Sequence, residues 1–163
     1  MNHLATEPPS PPWDLQGTAI ALLHGWRSVL ALVDYEASPV GPYDEVAVIT
    51  LTRRGPSVMK MWVNTPASMI GGRRGWGFPK RLAPLRWQRQ DQRIMFEAGK
   101  GKYRVRACGP SLPIRAHSWS VQVLDGRAVR VPLRVSGRIR IAWRGRQIVL
   151  LIESLVLSVL PPE

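Results

Sequence analysis

Apolar and polar residues alternate along this chain with a period of two, in short runs separated by turn residues. The three-to-four spacing of a long amphipathic helix is almost absent. The alternation predicts strands over Gly17–His24, Val29–Tyr35, Glu45–Thr52, Val58–Val63, Leu85–Arg89, Arg93–Ala98 and Lys102–Ala107. Toward the C-terminus, Arg115–Leu124 leads through Asp125-Gly126, a strong hairpin signal, into Arg127–Val135. Arg138–Trp143 then turns at Arg144-Gly145 into Gln147–Leu160. One helix is expected after the fourth run. Thr65 can cap it, Pro66 suits the first helical position, and Ala67–Ile70 continue without a breaker up to Gly71-Gly72. No internal repeat is visible, and the reading is a mainly β, β-rich α+β protein.

Length and composition narrow this further. With 163 residues, 45% of them hydrophobic, the chain can bury one sizeable core and is too short for two full domains. Pro8, Pro9, Pro11 and Pro12 punctuate an N-terminal stretch of little hydrophobicity, unlike the apolar core of a secretion signal. Residues 1–14 are therefore expected to form a flexible tail and 15–163 the folded domain. The most apolar stretch, Ile148–Leu160, is interrupted by Glu153 and is shorter than the roughly 20 residues that span a bilayer. Cys108 is the single cysteine, which excludes an internal disulfide. A soluble protein of the reducing cytoplasm is the expectation.

The net charge of +12, from 23 Lys plus Arg against 11 acids, raises nucleic acid or a membrane surface as a partner. The arginines, however, are spread from Arg27 to Arg146, mostly singly and alternating with apolar residues. That is the pattern of polar strand faces, and it argues against nucleic acid while leaving room for a bound anion. His3, His24 and His117 show no metal spacing, so neither a metal nor another cofactor is assigned. There is no nucleophile elbow and no phosphate-binding glycine loop followed by Lys-Ser or Lys-Thr.

One stretch suggests chemistry more than folding. Residues 71–82 read Gly-Gly-Arg-Arg-Gly-Trp-Gly-Phe-Pro-Lys-Arg-Leu. An ordinary surface lysine is protonated at neutral pH and does not attack a carbonyl. One held in an apolar pocket beside a second cation is shifted toward the nucleophilic amine. Lys80, with Trp76 and Phe78 before it and Arg81 after it, has the composition of such a lysine. The aromatics would desolvate it, or serve simply as core or interface residues.

These residues resemble the Schiff-base lysine segment of the acetoacetate decarboxylase family, whose enzyme is a standard example of a lysine activated by its surroundings. A second match lies upstream. Tyr35-Glu36-Ala37-Ser38-Pro39-Val40-Gly41-Pro42-Tyr43-Asp44-Glu45 is similar to that family's segment ending in Tyr-x-Glu. The similarity spans residues 28 to 85, and the chain reads as a short, divergent member. The resemblance implies a barrel-like antiparallel sheet domain with one or two short helices. It further implies a homo-oligomer and a carboxy-lyase that decarboxylates a small keto acid through an imine on Lys80. Glu45 would face Lys80, and Arg81 would be the adjacent cation where the family carries a lysine. Arg74 stands where the family tends to carry a glutamate. Apart from the resemblance, the chemistry needs a cation to steer the substrate carboxylate, for which Arg73 or Arg27 is the candidate, and Tyr43 would touch the pocket or cap a turn.

The chemistry is coherent: a β-keto acid releases CO₂ readily when its carbonyl becomes a protonated imine that accepts the electron pair left behind. Glu45 is the expected proton shuttle. The same lysine would serve an aldol or dehydratase reaction. The alternative from another class is a non-catalytic module that binds an acidic small molecule on Arg73, Arg74 and Arg81.

Overall fold

The computed structural model describes residues 7–163, so His3 and the first six residues of the expected tail lie outside the described residues. The strands are β1 (Trp13–Leu23), β2 (Ser28–Ala37), β3 (Tyr43–Thr52), β4 (Gly55–Val63), β5 (Lys80–Leu82), β6 (Leu85–Gln90), β7 (Arg93–Ala98), β8 (Gly101–Ala107), β9 (Leu112–Leu124), β10 (Arg127–Arg144) and β11 (Gln147–Val159). A single helix, α1 (Pro66–Trp76), separates β4 from β5. All eleven strands join one sheet in the order β5-β4-β3-β2-β1-β11-β10-β8-β7-β6, with β9 paired to β10 beside this path. The sheet is β-rich and mainly antiparallel as expected. It does not close, and the β4–β5 pair is parallel. Among the described residues, no helix is long and apolar enough to cross a membrane.

Alternation along the strands gives the sheet two apolar faces. One cluster gathers Val33 and Tyr35 from β2, Tyr43 and Ala47 from β3, and Trp76 and Phe78 from the helical segment. Leu30, Leu32 and Val46, one residue out of phase on the same strands, join Ile94 and Phe96 in the other. Pairing across β2 and β3 is continuous from Ser28↔Thr50 to Tyr35↔Tyr43, so the phase of β2 fixes which β3 residues share its face.

Three departures from the sequence expectation have identifiable causes. Residues 8–14 are not free of the domain: β1 begins at Trp13, whose indole is 1% exposed, meets Trp76 edge-on at 5.1 Å and donates to the Pro9 carbonyl at 2.8 Å. Second, the helix runs through Gly71, Gly72 and Gly75 instead of stopping at the first pair. Its end is Gly77, left-handed at φ 72°, whose N–H donates to the Arg73 carbonyl while the Phe78 N–H reaches back to Gly72. Thr65 precedes it in extended conformation but makes no side-chain cap bond. Third, the two runs expected at Arg127–Val135 and Arg138–Trp143 are one strand. Gly137 lies at a register shift against β11, where an added Cβ would sit 2.9 Å from the Glu153 carbonyl oxygen, so the glycine serves close backbone approach and not a turn.

On the face opposite Tyr35 and Tyr43, Asp34 and Asp44 stand directly across from each other. Burial, then the Asp44 charge, then that of Glu36 raise the Asp34 pKa to about 6. The folded state therefore binds this proton more tightly than the unfolded chain does. The stabilisation is fully present below the unfolded value of 3.8 and is lost as pH rises through about 6. Asp34→Asn is expected to raise Tm at pH 7 and to flatten the pH dependence of stability between roughly pH 4 and 6. Thermal unfolding across that range checks it, and an unchanged slope would remove Asp34 as its origin.

Candidate functional site

The three-residue strand β5 decides which side chains of the basic segment turn inward. Parallel pairing sets Lys80 beside Met61; Lys80 is buried at 4% exposure, alternation turns Arg81 to the opposite, solvent-facing side, and Leu82 at the strand's end is exposed as well. The Lys80 N–H donates to the Phe78 carbonyl at 2.8 Å, and its own carbonyl accepts from Arg73 Nε at 2.7 Å. The backbone beneath the amine is thereby held from both sides.

The Lys80 side chain runs under α1, where Gly72 leaves the room: a Cβ there would lie 2.6 Å from Lys80 Cδ and Cε. Its Nζ stands 3.0 Å from Glu45 Oε2 and donates to Ser68 Oγ at 2.9 Å. Tyr43 Oη is 3.5 Å away, and the Tyr43 ring centroid is 5.0 Å from the ammonium. Glu45 and Tyr43 share this face because they are two residues apart on β3, and Ser68, wholly buried on α1, approaches from the other side. Tyr35 packs against Tyr43 with ring centroids 4.9 Å apart.

A cavity of about 230 Å³ opens beside these groups. Lys80, Glu45, Tyr35, Tyr43 and Ser120 supply its polar side chains, and the rest of the wall is aliphatic or aromatic, with Trp13, Trp76 and Phe78 nearest the lysine segment. The indole nitrogens are turned away, with Trp76 Nε1 donating to the Leu160 carbonyl at 2.7 Å. Burial, and then the Glu45 charge, hold both tyrosine hydroxyls well above their ordinary pKa, so each stays a neutral phenol able to donate a hydrogen bond. Among the described residues, no cluster of three or more His, Cys, Asp or Glu could hold a metal ion.

Of the residues expected from the sequence, Lys80, Glu45, Tyr43, Trp76 and Phe78 meet at this cavity. Arg81 and Arg73 do not line it. Alternation on β5 turns Arg81 to solvent, and Arg73, exposed on α1, spends its Nε on the Lys80 carbonyl. Arg74 pairs with Glu7 at 2.5 Å on the surface, and exposed Arg27 donates to the Leu51 carbonyl beside Trp26. Ser68, Tyr35, Trp13 and Ser120 were not singled out by sequence. For Ser68 no signal existed, since a serine inside a short helical run carries no mark of its partner. A larger groove of about 820 Å³ lies among Arg89, Arg93, Arg104, Arg106 and Trp143, but it contains no nucleophile and no buried charged group.

The sequence profile of the acetoacetate decarboxylase (ADC) family matches residues 28–107, which include Glu45 and Lys80. No curated protein matches the chain. Among solved structures, the acetoacetate decarboxylase of Legionella pneumophila subsp. pneumophila str. Philadelphia 1 superposes with a TM-score of 0.62 at 13% identity, covering 100% of this chain and 90% of that one. A second structure, from structural studies of acetoacetate decarboxylase, gives a TM-score of 0.58 at 8% identity, covering 97% of this chain and 90% of that one. The profile match across the strands that carry the lysine and the glutamate, together with the shared fold over the whole length, supports an acetoacetate decarboxylase-like family member.

Proposed function

We propose that the protein is a Schiff-base lyase in which Lys80 attacks the carbonyl carbon of a small substrate. The observation that carries this reading is the placement of Lys80 Nζ, 4% exposed and 3.0 Å from the Glu45 carboxylate, on the wall of an otherwise apolar cavity. The attacking form is the neutral amine, and Glu45 is the group positioned to take its proton. The nitrogen lone pair forms the C–N bond as the C=O π pair moves to oxygen. The alkoxide takes one proton from the nitrogen to become a hydroxyl, which takes a second, from Glu45 or a neighbouring phenol, and leaves as water, giving an iminium ion.

The iminium is the electron sink. In a β-keto acid the C–C pair released with CO₂ would flow into it to give an enamine. Protonation at carbon, followed by hydrolysis, would then return the product and the lysine. In an aldol or dehydration reaction the same enamine forms by loss of a proton or a carbonyl fragment. Trp13, Trp76 and Phe78 exclude water from the cation in either case.

Reductive trapping tests the covalent step. Incubation with a panel of ketones, aldehydes and keto acids plus cyanoborohydride is expected to add the mass of the reduced adduct at Lys80, and Lys80→Met is expected to abolish it. Peptide mapping by mass spectrometry reads the site. Labelling of Lys80→Met to the same extent, or no adduct with any carbonyl compound, would leave a pocket that binds without covalent chemistry.

A further inference from the structure

We infer that the Lys80 cavity takes a neutral, apolar ketone or aldehyde in place of a keto acid. This deepens the reading of Lys80 as an imine-forming lysine and rests on it. Among the described residues, the charges on the cavity wall are one cation, Lys80, and one anion, Glu45, already 3.0 Å apart. A substrate carboxylate would enter as a second anion with no cation of its own. It would compete with Glu45 for the single ammonium, or for the iminium that replaces it.

Burying such a charge unpaired is strongly unfavourable, and neutral hydrogen-bond donors offset it only in part. The phenols of Tyr35 and Tyr43 and the hydroxyl of Ser120 are the neutral donors available. The four arginines that could have served, Arg27, Arg73, Arg74 and Arg81, all lie outside the wall.

The carboxylate is also held close to the buried amine. In a β-keto acid one methylene separates it from the carbonyl carbon, and that carbon must bond to an amine that is 4% exposed. The acid group thus starts from the apolar wall around Lys80, within one methylene of the new C–N bond. An alkyl or aryl group instead meets Leu15, Val33, Met61, Val135 and Leu155, the kind of surface that rewards burial of carbon. At about 230 Å³ the space exceeds a water site many times over and suits a small organic molecule.

A neutral ketone also has a defined fate here. Once it is an iminium, Glu45 can remove a proton from the α-carbon. The C–H pair becomes the C=C bond of an enamine while the C=N π pair settles on nitrogen. Protonation at carbon by a solvent-derived proton restores the iminium, and the water lost in forming it returns to release the ketone and the amine, so α-hydrogens exchange with D₂O with no net reaction.

The test uses the full chain with cyanoborohydride and two compounds of matched size, hexan-2-one and freshly prepared acetoacetate. Half-maximal labelling of Lys80 is expected at a concentration at least about tenfold lower for hexan-2-one. Deuterium incorporation next to its carbonyl is expected by NMR, and is expected to vanish in Lys80→Met. Equal or stronger labelling by acetoacetate, or CO₂ release from it above the buffer rate, would overturn the neutral-substrate inference while leaving the imine-forming lysine intact. Labelling by neither compound, with no exchange, would overturn both.

Discussion

Replacing Glu45 by alanine is expected to lower the free energy of unfolding by about 3–5 kcal/mol, the largest stability effect of any single change at the site. Glu45 and Lys80 are a buried pair 3.0 Å apart, with side chains 7% and 4% exposed. Removing the carboxylate leaves an ammonium with only the Ser68 and Tyr43 hydroxyls as neutral partners. The double change Glu45→Leu with Lys80→Met removes both charges and fills the space with carbon, and is expected to recover the stability or exceed the parent. Urea unfolding of the parent, the singles and the double gives the coupling directly. A loss below about 1 kcal/mol for Glu45→Ala would mean that the pair behaves as an exposed one and is not desolvated. If the cycle runs as expected, folding alone does not account for the pair. An apolar substitute folds as well, which leaves chemistry as the reason for placing an amine and a carboxylate there.

Gly72→Ala is expected to slow covalent capture at Lys80 by about a hundredfold while the protein stays folded. Alanine is the better helix former, by roughly 1 kcal/mol, and α1 is long enough to use it. The new methyl, however, would lie 2.6 Å from Lys80 Cδ and Cε and 3.2 Å from Nζ. Ordinary carbon contacts need about 3.5–4.0 Å, so the lysine arm must move by roughly 1 Å. The 2.9 Å contact to Ser68 and the 3.0 Å contact to Glu45 cannot both survive that movement. Trapping kinetics against the parent, with circular dichroism and thermal unfolding as the check on folding, decide the matter. An unchanged capture rate would show that the arm finds an equally good route past the methyl.

Much of this architecture was legible in the amino-acid order, because period-two alternation reports which strand residues face a core. Glu45–Thr52 and Arg93–Ala98 needed little or no adjustment, and Asp125-Gly126 turns with both residues at positive φ. What misled was glycine. Gly71, Gly72 and Gly137 each suggested a break, yet each is there for proximity: to the Trp13 indole, to the Lys80 arm and to the β11 backbone. Sequence offers no way to tell a glycine chosen for its backbone freedom from one chosen for its missing Cβ, since the neighbour it accommodates lies far along the chain. The same limit explains the arginines. Arg81 follows Lys80 directly, but a strand sends successive side chains to opposite faces, so adjacency in sequence put it outside the pocket; Arg73, on α1, is exposed and spends its Nε on the Lys80 carbonyl. Ser68 and Glu45 reach Lys80 from α1 and β3, and only the Tyr-x-Glu resemblance hinted at one of them.

The parallel strand β5 has a consequence for how the amine can be reached. It is three residues long, sits at one end of the sheet and has a ladder partner only in β4. A terminal strand this short detaches at far lower cost than the strands at the centre, so amide protons of residues 80–82 should exchange with solvent well before those of β1 or β2. Early exchange there would mark this selvedge of the sheet as the expected entry for a bulky carbonyl compound, with the second apolar cluster left undisturbed.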